Sequence, residues 1–186
     1  MTPGVSASAE DVSNVARRFL GAGIRLLQVR EKHLADRELL GSVEETDRRA
    51  REVGATVLVD DRVDVARLAG VGVHLGPDDL PPHVARPLLA SGALVGVSTH
   101  DVVEARDAFA DPSCDYVAFG PVFESATKRE RPARGVATLA AVAREKTKPL
   151  VAVGGLTPQS LDAVFEAGAD SAAMIGALAA SGRIEE

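Results

Sequence analysis

The sequence predicts an α/β fold on a parallel sheet: a (β/α)8 TIM barrel that lacks its first strand and most of its last helix. Three observations carry this. Short apolar runs recur from near residues 24, 55, 71, 93, 115, 149 and 171, most of them one strand-plus-helix unit apart. Segments of helical periodicity separate most of them, so the near-continuous apolar strands read as parallel and covered on both sides. The Gly-x-Gly-x-x-Gly turn that marks the first strand of many doubly wound sheets is absent. Seven strands fall one short of a closed barrel, the chain opens on a helix, and about ten residues follow the last strand. The whole of 1–186 therefore reads as one barrel domain, short at both ends.

Residues 2–8 read as a loop, with Ser8 placed to cap a helix from Ala9 to about Ala22. That helix carries Val12, Val15, Ala16, Phe19 and Leu20 on one face, and Gly21 and Gly23 stop it. The strands are expected at Ile24–Val29, Ala55–Val59, Val71–Leu75, Ala93–Val97, Asp115–Phe119, Pro149–Val153 and Ser171–Ile175. Helices are expected at Arg37–Val53, Asp101–Phe109, Val136–Glu145 and Pro158–Ala167, with a brief one at Val63–Ala69. His33 and His83 fall in loops, and His74 reads as a packed strand residue.

A hydrophobic content of 46% over 186 residues can fill a sizeable core. Net charge is −6 with scattered basic residues, which argues against a nucleic-acid or anionic-membrane surface. The lone Cys114 excludes an internal disulfide and fits a reducing cytoplasm. The first twenty residues carry Glu10 and Asp11 and no apolar signal-peptide core, and no run is long enough for a membrane span.

The chemistry gathers at strand ends. Gln28, Arg30 and Lys32 share one face of the first visible strand by its two-residue period, with Ile24 and Leu26 below them. Leu27 and Val29 point to the helices. Cations stacked at a barrel mouth repel one another, so an anionic ligand is expected there, Arg30 binding phosphate bidentately and Lys32 as a point charge. Asp60-Asp61 and Asp78-Asp79 end neighbouring strands and suggest Mg²⁺, which takes a couple of carboxylates plus phosphates and water. Asp61 could instead cap the helix that begins at Val63. No Cys/His cluster suggests zinc. Ser98-Thr99-His100 follows the fourth strand without a paired nucleophile. After Gly120-Pro121, the loop carries Ser125, Thr127 and Lys128, two hydroxyls and an ammonium suited to phosphate oxygens. Arg129, Arg131 and Arg134 read as its solvated flank. Gly154-Gly155 and Ile175-Gly176 end the last two strands, where backbone N–H groups can approach a phosphate.

Laid out in this order, the chain resembles the thiamine-phosphate synthase family from about residue 21 to residue 178. The resemblance rests on Gln28-Val29-Arg30-Glu31-Lys32, Asp60-Asp61, Gly72-Val73-His74-Leu75-Gly76 with Asp79, and Gly96-Val97-Ser98-Thr99-His100. Gly120-Pro121-Val122-Phe123 with Thr127-Lys128, and Val153-Gly154-Gly155-Leu156, complete it. It implies a TIM-barrel transferase that joins a pyrimidine diphosphate to a thiazole phosphate with Mg²⁺ and releases pyrophosphate. On that resemblance Arg30, Lys32 and Lys128 hold the diphosphate, with Gln28 nearby, and Asp61 and Asp79 bind the metal. Asp60 contacts the pyrimidine and Ser98 lies beside the leaving group. Ser125, Thr127, Gly155, Ile175 and Gly176 hold the thiazole phosphate. Asp60 stands where the family usually has asparagine, Ser125 where it has threonine, Glu124 proline, Pro77 glutamine and Gly176 serine. The related thiazole tautomerase, with His100 as its imidazole, is the alternative enzyme, and a phosphate-binding remnant without turnover is the alternative outside catalysis. Strand edges left open by an unclosed barrel favour self-association, hence a homo-oligomer.

Overall fold

The computed structural model describes residues 9–124 and 132–174. They form seven parallel strands in sequence order, curled into a partial (β/α) barrel: β1 (Leu26–Val29), β2 (Thr56–Asp60), β3 (Gly72–Leu75), β4 (Val95–Thr99), β5 (Tyr116–Phe119), β6 (Leu150–Val153) and β7 (Ser171–Ala173). Within the described residues β1 and β7 each pair on one side, so the sheet is not closed there.

The helices cover one face of this sheet. They are α1 (Ala9–Gly21), α2 (Asp36–Glu52), α3 (Val63–Ala69), α4 (Pro82–Ala85), α5 (Val102–Ala110), α6 (Gly135–Ala143) and α7 (Leu161–Glu166). Side-chain alternation sorts the strands into two apolar layers. Val29, Val57, Val59, Val73, Leu75, Val95, Val117, Phe119 and Leu150 join the helices in the larger core. Leu27 packs under Ala16 and Phe19 of α1, as its outward parity requires. Leu58, Tyr116, Ala118 and Val151 form a smaller cluster on the concave face. A side chain such as Leu58, 1% exposed, contributes about 2 kcal/mol of burial there.

Three expectations change. The fourth strand runs on through Ser98 and Thr99, because the Thr99 hydroxyl donates to the Ala118 carbonyl at 3.0 Å and can therefore be buried. His83 lies in α4, which begins at Pro82; proline is tolerated at a first helical position because its missing N–H has no partner to lose. The segment 158–167 divides into a 3₁₀ turn, Pro158–Ser160, followed by α7.

Candidate active site

The first part of the site lies where β1 and β2 end. Gln28 Nε2 donates to Asp60 Oδ1 at 2.8 Å, while Arg30 Nε and Lys32 Nζ stand 3.1 and 3.3 Å from Asp60 Oδ2. Lys32 also ion-pairs with Asp61. Strand parity brings Gln28, Arg30 and Lys32 together as the sequence predicts. It also corrects the reason given for an anionic ligand: the carboxylates of Asp60 and Asp61 already offset these cations. The Asp60 side chain is 10% exposed, so its charge is screened weakly by water.

Asp61 does not cap α3. Arg62 takes the cap position without a side-chain cap bond, and Arg62 pairs with Asp36 and Asp64. Asp61 has φ of 62°, a left-handed conformation that aspartate tolerates better than most residues. Its N–H donates to the His74 carbonyl at 2.9 Å, extending the β2–β3 ladder by one bond. After β3, Asp79 accepts from the Gly76 N–H at 2.7 Å, whereas Asp78 is exposed. Among the described residues no group of three or more His, Cys, Asp or Glu side chains could hold a metal by itself. The donors at these two strand ends are hard carboxylate oxygens, which fit an ion that takes the rest of its shell from water and phosphate.

The second part is built by β4, β5 and β6. His100 Nδ1 bonds the Gly120 carbonyl at 2.6 Å, and the Gly120 N–H donates to the Thr99 carbonyl at 3.1 Å. Val122 N–H and Phe123 N–H then donate to the carbonyls of Val153 and Gly154, each at 3.0 Å. The start of the loop after β5 is thereby laid over the end of β6. Gly155 has φ of 68°, and a Cβ there would lie 2.5 Å from the Phe123 carbonyl oxygen. Ser125, Thr127, Lys128, Ile175 and Gly176, as well as Arg129 and Arg131, lie outside the described residues. Arg134 departs from the expected solvated flank. It is half-buried, and its Nε is shielded from water without a hydrogen-bond partner.

His74, read from the sequence as a packed residue, is buried but also bonded at both ring nitrogens. Nδ1 lies 2.7 Å from the Tyr116 hydroxyl and Nε2 lies 2.9 Å from Ser98 Oγ. Burial raises the Tyr116 phenol above its ordinary range, with smaller contributions from Cys114 and Asp60. Tyr116 and Gly96 were not singled out as a pair by sequence reading. The signal available was parity: Gly96 and Ser98 face the same way on β4, and His74 and Tyr116 stand beside Gly96 in register.

The profile of a family described as thiamine monophosphate synthase matches residues 2–178. The chain belongs to that family. A thiamine-phosphate synthase of Anaeromyxobacter dehalogenans is 46% identical over 168 residues, covering 88% of this chain and 73% of that protein. One from Synechococcus sp. (strain CC9605) is 37% identical over 175 residues, covering 94% of this chain and 49% of its own length. The chain thus spans about half the length of that curated relative. Among solved structures, a thiamine phosphate pyrophosphorylase from Pyrococcus furiosus superposes with a TM-score of 0.84 at 31% identity, over 93% of this chain and 83% of its own. In this member of the thiamine monophosphate synthase family, the motif segments Gln28–Lys32, Asp60-Asp61, Ser98–His100 and Gly154-Gly155 all fall towards the carboxyl ends of their strands, the end of a parallel barrel where loops meet.

Proposed function

We propose that the chain condenses 4-amino-5-hydroxymethyl-2-methylpyrimidine diphosphate with 4-methyl-5-(2-hydroxyethyl)thiazole phosphate, giving thiamine phosphate and pyrophosphate in the cytoplasm. The observation that carries this reading is the convergence of Gln28, Arg30 and Lys32 at the mouth of a barrel of this family. The bond from the pyrimidine methylene to the diphosphate oxygen breaks first, and its electron pair leaves with pyrophosphate. The thiazole nitrogen then donates its lone pair to the methylene carbon. No general base is needed, so catalysis consists of holding two ligands and stabilising the charge that develops on the leaving group.

Arg30, Lys32 and Lys128 grip the diphosphate. Gln28 lies beside it, and Asp60 faces the pyrimidine, where it accepts from the exocyclic 4-amino group. Ser98 donates to the departing oxygens. Ser125, Thr127, Gly155, Ile175 and Gly176 hold the thiazole phosphate through hydroxyls and backbone N–H groups. Asp61 and Asp79 are the residues that would hold Mg²⁺, which when bound offsets negative charge on the diphosphate.

The test is direct. The folded chain is mixed with both substrates and Mg²⁺, and thiamine phosphate is followed with and without a chelator. Product that disappears with the chelator is expected; a folded chain that makes none overturns the proposal.

A further inference from the structure

On the concave face, four residues stand side by side across four strands: Asp60 of β2, His74 of β3, Gly96 of β4 and Tyr116 of β5. Gly96 is the gap in this row. A Cβ there would lie less than 3.0 Å from Tyr116 Cζ, Cε1 and the hydroxyl oxygen, so the glycine lets the Tyr116 ring cross β4 to His74. The two rings stack with centroids 5.6 Å apart and planes 27° apart. Ser98, two residues along β4, then meets the far nitrogen of the same imidazole.

We propose that His74 is a positioning residue for Ser98: it is held in the tautomer with Nδ1 unprotonated and the proton on Nε2, which turns the serine's own hydroxyl proton towards the ligand. The inference rests on the reading above that Ser98 faces the leaving diphosphate. Tyr116 packs with Leu58, Ala118 and Val151 and is 9% exposed, and among the described residues the partner of its hydroxyl is His74 Nδ1. A buried phenol proton without an acceptor is costly, so Tyr116 donates and Nδ1 accepts. A neutral imidazole that accepts at Nδ1 carries its proton on Nε2 and donates it to Ser98 Oγ. Ser98 cannot then give its proton back to His74. That proton is free for an acceptor in the site, and pyrophosphate oxygens gaining charge are such an acceptor. The opposite tautomer would point the serine hydroxyl at the imidazole, away from the ligand.

The experiment has two arms. Nitrogen-15 NMR of labelled imidazoles, with His74 identified among the four histidines by its loss in His74→Gln, reads the tautomer without substrate. The wild-type chain should show the Nε2-protonated form, and Tyr116→Phe a mixture of the two. Steady-state kinetics should show kcat of Tyr116→Phe lowered about tenfold, the scale of one misdirected hydrogen bond, with KM for the thiazole phosphate within about twofold. On a Ser98→Ala background the same substitution should cost nothing further. His74→Gln, whose amide nitrogen can still reach Ser98, should keep more kcat than His74→Asn. A wild-type spectrum of the Nδ1-protonated form overturns the proposal, as does an equal loss from Tyr116→Phe with and without Ser98. A chain that yields no thiamine phosphate overturns the synthase reading instead, and the spectrum then decides the tautomer by itself.

Discussion

Replacing Gly96 by alanine adds one methyl group, yet it should be among the most damaging small changes in the sheet. The new Cβ would sit inside contact distance of three Tyr116 atoms, each less than 3.0 Å away. Ordinary carbon contacts are near 3.5–4.0 Å, so the ring must retreat by roughly 1.5–2 Å. Its neighbours leave little room: Tyr116 is 9% exposed, and Leu58, Ala118 and Val151 pack around it. Overpacking of this kind costs about 1–3 kcal/mol. Retreat also breaks the 2.7 Å bond to His74, leaving a buried phenol unpaired at about 1–3 kcal/mol. Alanine's lower unfolded-state entropy returns about 0.4–1 kcal/mol. The net loss is about 2–4 kcal/mol, a fall in Tm of roughly 5–15 °C for a chain of 186 residues. Thermal and urea melts by circular dichroism read this directly. Gly41→Ala is the matched control: nothing lies within 4 Å of a Cβ there and the residue is inside α2, so it should stabilise by about 0.5–1 kcal/mol. On a Tyr116→Leu background, which removes the clashing ring atoms, most of the Gly96→Ala cost should vanish. A Tm unchanged by Gly96→Ala, or an equal loss in both backgrounds, would refute the reasoning.

Asp60→Asn keeps the shape of the side chain and its contact with Gln28 while removing the negative charge that Arg30 and Lys32 share. Inorganic pyrophosphate should bind the variant about tenfold more tightly by calorimetry, and unchanged or weaker binding would contradict the charge-sharing account. Gly155→Ala forces a Cβ onto a residue at φ of 68° and against the Phe123 carbonyl. It should destabilise by about 2 kcal/mol or more and weaken thiazole phosphate binding, seen as a lower Tm with a smaller ligand-induced rise. Burial pushes the Cys114 thiol up to about 11 from an ordinary value near 9. Between those values the unfolded chain has released a proton that the folded chain still holds, so stability should fall as pH rises from about 9 through about 11. Cys114→Ser urea melts across that range should show a flatter dependence.

Much of the architecture is legible because apolar runs and helical periodicity are local signals. All seven strands fall on segments that the sequence marks as apolar, and Val63–Ala69 was expected with the bounds that α3 has. The misses are of another kind. Ser98 and Thr99 look like a loop until a partner strand is present to accept the Thr99 hydroxyl. α4 is hidden by Pro81, Pro82 and Pro87, which read as loop although one of them starts a helix. In the site, period-2 parity was enough to gather Gln28, Arg30 and Lys32. It could not show that a carboxylate 28 positions beyond Lys32 would meet them, because that depends on β1–β2 pairing. The link between His74 and Tyr116 spans 42 residues and exists because a side chain is missing at Gly96. A pattern of what is present in the sequence gives no weight to that gap.

The carboxylate shared by Arg30 and Lys32 has a further consequence. It makes the mouth of this barrel behave as an ion exchanger with its counterion tethered in place. A tethered group is present at the site whatever the solution contains. Chloride or a free carboxylate, bringing one charge to replace one charge, gains little by entering. A ligand with several negative charges on adjacent oxygens can engage both cations at once and displace the resident group. On the function proposed above, valence rather than shape alone is the first thing this site would select, and chloride should bind here far more weakly than pyrophosphate.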